Sequence, residues 1–255
     1  MCYKELFLIL LLFLASPALA AETKQAPATL CGINSASINE LETIQKNATL
    51  EYAQKIQKEL GIRRTLLKTL VDCAIEETQN LQNDFDNVDQ SDQTVKELKQ
   101  QFYGWFQSTI NYYKLRKKNI DDLGIGGSKE FAGNLAGWRE GNHKATANII
   151  SNFVLWAKNQ TLMQAAKNRF NQAVLAVDLL KITPEYWEVK RLLNEANGEL
   201  QTALSLNQKA KNAIKTYAPP QESLDVTKES LSALASSYQK LFNLVDAIKK
   251  SLEEK

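Results

Sequence analysis

The 255-residue chain has one histidine, His143, and three cysteines, Cys2, Cys31 and Cys73. Zinc and haem sites draw on several His or Cys ligands, so this scarcity argues against both, and no cofactor or metal is expected. A Ser-His nucleophile arrangement would rest on His143 alone. That residue lies in the polar run REGNHK beside Arg139 and Glu140, where an exposed, non-catalytic histidine is expected. Prolines number five and glycines ten. Turn-formers are thus sparse, and apolar–polar alternation at period two is nowhere sustained, so strands are not expected. The net charge of +2 is too small for a nucleic-acid binder.

Residues 1–20, MCYKELFLILLLFLASPALA, place an apolar run ahead of Ser16-Pro17 and the small residues Ala18 and Ala20. This is the pattern of a secretory signal peptide cleaved after Ala20. The run is short of the ~20 residues a spanning helix needs, and Pro17 interrupts its end. Removing the segment takes away one Lys, one Glu and Cys2. An exported chain is expected, periplasmic in a bacterium and secreted otherwise. Its two remaining cysteines, Cys31 and Cys73, are then expected to form a disulfide.

After an extended lead-in over residues 21–36, the apolar period is helical throughout. Ser37 and Glu40 make a capping box, and Leu41, Ile44, Ala48, Tyr52, Ile56 and Leu60 form one stripe that Gly61 is expected to stop. A second helix follows from Arg63 to Phe85. A simple hairpin at Gly61 would leave the start of the first helix ~35 Å from the turn but Cys73 only ~18 Å from it. A disulfide needs Cα atoms within ~7 Å. Either the lead-in folds back or the first helix breaks near Asn47. The acidic run Asp84, Asp86, Asp89 and Asp92 lacks the spacing of a calcium loop, so it reads as an inter-helix loop with Ser91 or Asp92 as N-cap.

A third helix, Gln93 to Lys118, ends in LRKK. Six of the ten glycines then fall between Gly124 and Gly141. Gly124, Gly126 and Gly127 read as a flexible break with Ser128 as N-cap. Gly133, Gly137 and Gly141 recur at four-residue spacing, the pattern of close helix packing or of a hinge. From Lys144 onward three long helices follow, punctuated by Pro184 and by Pro219-Pro220, with one polar stripe residue, Asn207. The expected fold is all-α, an elongated antiparallel bundle of about six helices. It comprises an N-terminal helical region over residues 37–122 with one disulfide, a Gly-rich pivot over 123–143 and a coiled-coil-like three-helix bundle over 144–255. Asn47-Ala-Thr and Asn159-Gln-Thr match the glycosylation acceptor pattern.

Two functions fit this reading. The first is a non-enzymatic interaction module, a scaffold, adaptor or chaperone-like protein binding a protein partner. The second is a membrane-active protein. Ten of the eighteen aromatic residues after residue 20 lie between Phe102 and Trp156, beside the basic LRKK cluster, which suits an anionic membrane surface. In architecture alone, long helices with a Gly-spaced apolar insert resemble helical pore-forming toxins of the haemolysin type. That resemblance implies lipid contact by Phe131, Leu135, Trp138, Lys117 and Lys118, with Gly133 and Gly137 supplying the rearrangement; Trp105 and Phe106 join them as candidates for partner or lipid contact. Residues 131–138 are too few to span a bilayer alone.

Overall fold

A computed structural model of the protein describes residues 35–89, 93–178 and 186–253. The signal peptide expected over residues 1–20, Cys31, Ser91, Asp92 and Pro184 lie outside the described residues. All regular structure among the described residues is helical. Helix α1 spans Ser35–Lys46, α2 Tyr52–Asp86, α3 Gln93–Lys118, α4 Ile125–Trp138, α5 Ala145–Asp178, α6 Tyr186–Lys215 and α7 Pro220–Glu253. A 3-10 turn, Ile120–Asp122, follows α3, and a π-helical segment, Arg139–Lys144, joins α4 to α5. The chain divides into two compact units between Ser151 and Asn152.

In the first unit the expected stop at Gly61 does not occur, because α2 runs through it. Leu67, Val71, Ala74, Thr78 and Phe85 bury one face of α2, and that packing outweighs the ~1 kcal/mol a single helical glycine costs. The break falls instead at Asn47. Its Oδ1 accepts from the Thr49 backbone N–H at 2.8 Å, the Thr49 hydroxyl at 2.7 Å and the Leu50 N–H at 3.3 Å. A side-chain acceptor of this kind offers the backbone an alternative to helix. Helix α1 then packs back on the start of α2, where the Gln45 amide donates to Glu59 at 2.9 Å.

Helix α3 lies along α2 and buries Val95, Leu98, Phe102, Phe106, Ile110 and Tyr113. Lys99 closes the end of α2, its ammonium donating to the carbonyls of Asp86 at 3.1 Å and Val88 at 3.3 Å. A cation is favoured at a helix C-terminus, where carbonyls lack partners. Arg64 fixes the turn after α3 by donating to the Leu123 carbonyl at 2.7 Å.

The glycine-rich stretch is not a close-packing face, and its break is confined to Leu123 and Gly124, between the 3-10 turn and α4. Helix α4 begins at Ile125, so Gly126 and Gly127 are helical, and Ser128 is an internal residue whose hydroxyl donates to the Ile125 carbonyl at 2.8 Å. Gly124, immediately before the helix, has an extended backbone. Phe131 and Leu135 pack into a core with Leu67, Val71, Ala74, Tyr113 and Ile120. Gly133, Gly137 and Gly141 lie on the opposite, exposed side, and a Cβ added at any of them would meet no atom within 4 Å. The segment belongs to the first unit's core and is not a separate pivot.

The second unit is a bundle of α6, α7 and α5 from Asn152 onward. Ser237 donates to the Ala196 carbonyl at 2.8 Å and Ser230 to that of Ala203 at 2.7 Å. The serine steps back along α7 as its partner steps forward along α6, so the helices are antiparallel in fixed register. Ser223, one heptad earlier, departs from the series: its hydroxyl donates to the Pro220 carbonyl at 3.1 Å and accepts from the Asn152 amide at 2.8 Å. A hydroxyl reaches a neighbouring helix's carbonyl only where alanines let the backbones approach. Helix α5 covers this pair with large side chains. Met163 and Ala166 pack against Leu200 and Leu234, and Val177 against Val189, Leu193 and Leu241.

Asn207, the polar residue in the stripe, exchanges hydrogen bonds with Gln160 at 3.1 and 3.3 Å, and its carbonyl accepts from the Trp156 indole at 3.2 Å. Helix α6 ends on Tyr217 at φ 54°, with Ala218 N–H on the Ala213 carbonyl at 2.9 Å. This is a Schellman stop at a position that favours glycine.

With open space at both sites, Gly133→Ala and Gly137→Ala should each raise unfolding stability by up to about 1 kcal/mol. Urea denaturation of the single and double variants measures this. A loss of stability would show that α4 needs glycine there.

Candidate functional site

Four elements of the first unit converge on one buried polar group. Helix α3 supplies Trp105, Tyr112 and Tyr113, α4 supplies Trp138, the π segment supplies Arg139 and His143, and α2 supplies Glu77. His143 was expected on the surface and is 4% exposed. The cause is the π turn. An α-helical continuation of the Phe131–Leu135 row would bring Asn142 to the core, whereas the wider turn delays that position by one residue and delivers His143. Insertions of this kind recur where a helix places one side chain out of register.

The imidazole Nδ1 of His143 lies 2.6 Å from the Tyr113 hydroxyl. Arg139 donates to Glu77 at 2.6 Å, and its positive charge also acts on the Tyr113 phenol. A neutral imidazole nitrogen is a much stronger acceptor than a phenol oxygen, so the phenol O–H donates to Nδ1. That leaves the imidazole neutral with its proton on Nε2. The His143 ring sits 5.6 Å from Trp105 and 6.3 Å from Trp138, centroid to centroid. Trp138 stacks on Tyr112 at 3.8 Å and meets the Tyr113 ring edge-on at 5.1 Å. The Arg116 guanidinium caps the far side of Tyr112 at 5.2 Å.

Burial sets the protonation states. It pushes the Tyr113 phenol up to about 12, so the hydroxyl remains a donor. Burial, with the nearby Arg139 charge, pulls His143 from 6.5 down to about 4, against the attraction of Glu77. The cluster is therefore a neutral lock at ordinary pH. Its basic nitrogen is committed to a phenol, and among the described residues no group of three or more His, Cys, Asp or Glu could hold a metal ion. Its available chemistry is the uptake and release of one proton.

The residues expected at a lipid surface divide differently. Phe106, Phe131 and Leu135 are buried in the core. Trp105 and Trp138 are half-buried against His143. Lys117 pairs with Asp72 at 2.5 Å, and Lys118 alone is freely exposed. In this conformation the set presents no lipid-binding face, and the glycines expected to rearrange it face solvent. Of the two glycosylation motifs, Asn47 lies in the turn before α2, whereas Asn159 is 5% exposed on α5. The Asn159 motif cannot accept a glycan in the folded chain.

No protein-family model matches the chain, and neither curated proteins nor solved structures give a match. The reading of the cluster rests on its own chemistry.

The pH dependence follows from the direction of the His143 shift. Because its folded pKa, about 4, lies below the unfolded 6.5, the unfolded chain binds the proton more readily between those values. The associated stability is complete above pH 6.5 and is lost as pH falls through about 4. At about 1.4 kcal/mol per pKa unit, the loss is on the order of 3 to 4 kcal/mol. His143→Gln should remove this slope from unfolding free energies measured across the window. An unchanged slope would show that other groups carry it.

Proposed function

We propose that the protein is an exported, non-enzymatic interaction module of the scaffold, adaptor or chaperone-like kind, acting in a periplasm or outside the cell on a protein partner. The supporting observation is what the second unit leaves outside. Its core is closed by the Ser–Ala seam and the Gln160–Asn207 pair. Trp187 is nonetheless 73% exposed and Leu175 67%. Tyr186 meets Trp187 edge-on at 5.4 Å, and the Lys190 ammonium lies over both rings. Tryptophan is seldom left in water and is the side chain most enriched at the energetic centres of protein interfaces. The near-balanced charge also suits a protein partner better than a polyanion.

Export and the disulfide belong to the same proposal. The register set by Gln45 on Glu59 brings the start of α1 alongside roughly residue 69 of α2, at ~1.5 Å per residue in each helix. Cys73 lies about 6 Å further along, within the ~13 Å that the four extended steps from Cys31 to Ser35 can cover. The short, folded-back α1 thus relieves the geometric conflict a single long first helix would create.

Thiol labelling of the exported chain before and after reduction should expose Cys31 and Cys73 only after reduction. Cys73→Ser should lower stability by about 4 kcal/mol for a loop of this length. Labelling of both thiols without reductant would remove the bridge. For the interaction itself, Trp187→Ala and Leu175→Ala should leave thermal unfolding within about 0.5 kcal/mol of the parent, yet abolish crosslinks that the parent forms with a specific envelope or extracellular protein. Crosslinks unaffected by both substitutions would place the interface elsewhere.

A further inference from the structure

We propose that the Tyr113–His143 contact is an acid-released latch, and that its opening presents the apolar face of α4, Phe131, Leu135 and Trp138, to an anionic lipid surface. The inference goes beyond the protein-partner reading and does not depend on it. Helix α4 is held from one side only. Phe131 and Leu135 pack on Leu67, Val71 and Tyr113, and Trp138 stacks on Tyr112. The other side carries Ala132, Gly133, Ala136 and Gly137, all exposed, with open space at both glycines. Those glycines and Gly126 and Gly127 make α4 a weak helix that depends on its packed face. The π segment that follows it seats His143 in the same aromatic group, so one junction fixes both.

Protonation of the His143 ring would put a second cation beside Arg139 in a site walled by Trp105, Trp138 and Tyr113. It would also remove the lone pair that accepts the Tyr113 hydroxyl. The groups acting on the imidazole are Arg139 on its own element, Tyr113 on α3 and Glu77 on α2. Glu77, the carboxylate that favours the protonated ring, is already shared with Arg139, so it offsets the added charge only in part. A released α4 would carry Phe131, Leu135 and Trp138 on one face, with Arg139 and the protonated His143 at its C-terminal end, while Lys129 and Glu130 lie away from that face. Apolar and aromatic side chains flanked by cations suit the plane of an anionic bilayer surface. No helix among the described residues is long and apolar enough to cross a membrane, so the contact envisaged lies along the surface.

Flotation of the full mature chain on phosphatidylcholine vesicles, with and without phosphatidylglycerol, tests this at neutral pH and at pH about 4. Severalfold more wild-type protein should float at acid pH, on the anionic vesicles only. His143→Gln, which keeps an acceptor for Tyr113 but does not titrate, should return flotation to its neutral level. His143→Phe serves if circular dichroism shows the Gln variant unfolded. Hydrogen exchange without lipid should show residues 125–144 losing protection on acidification before the second unit does. Absence of acid-dependent flotation would overturn the lipid claim. An unshifted pH midpoint in the His143 variants, or loss of protection in both units together, would overturn the latch.

Discussion

A phenol and an imidazole, each costly to bury without a partner, are buried together as Tyr113 and His143 at 2.6 Å. Much of the first unit is arranged to make that contact. Arg139 beside it is held by Glu77, which together with the Tyr113–His143 contact ties α2 and α3 to the junction of α4 and α5. Trp138 and Trp105 exclude water from the imidazole, and that exclusion keeps it neutral. The weak helix α4 takes its place in the core through Phe131, Leu135 and Trp138 at the same junction.

The second unit uses polar groups differently. Ser230, Ser237, Gln160 and Asn207 are satisfied by specific partners on a neighbouring helix, so sliding α6 along α7 would strand several buried donors at once. The apolar layers formed by Val177, Val189, Leu193, Leu241, Leu244 and Ile248 add burial, but they would tolerate a neighbouring register more readily. Small residues allow the approach and hydroxyls specify it, which leaves large side chains such as Trp187 free to face outward.

The helical class, the bounds of α3 and the long C-terminal helices were legible because apolar residues at three- and four-residue spacing report burial directly. Gly61 misled because propensity is a small local term that the packed face of α2 outweighs. A break near Asn47 was one of two ways to reconcile a long first helix with the expected Cys31–Cys73 bridge, and the Asn47 side-chain turn with Thr49 supplies the cause. The α6–α7 seam escaped notice since Ser230 and Ser237 carry no apolar signal, although their seven-residue spacing is visible. His143 was misplaced because REGNHK reads as polar surface and nothing in a periodic pattern announces a π turn. The one available hint was Gly141-Asn142, a poor helix-forming pair inside an otherwise helical run.

The most direct measurement is the nitrogen-15 and proton titration of the His143 ring by NMR, made simple by its being the chain's one histidine. The structure predicts a neutral ring protonated on Nε2, with Nδ1 accepting a hydrogen bond and a midpoint at about 4. A ring exchanging freely between tautomers, with a midpoint near 6.5, would contradict the buried contact on which the site rests.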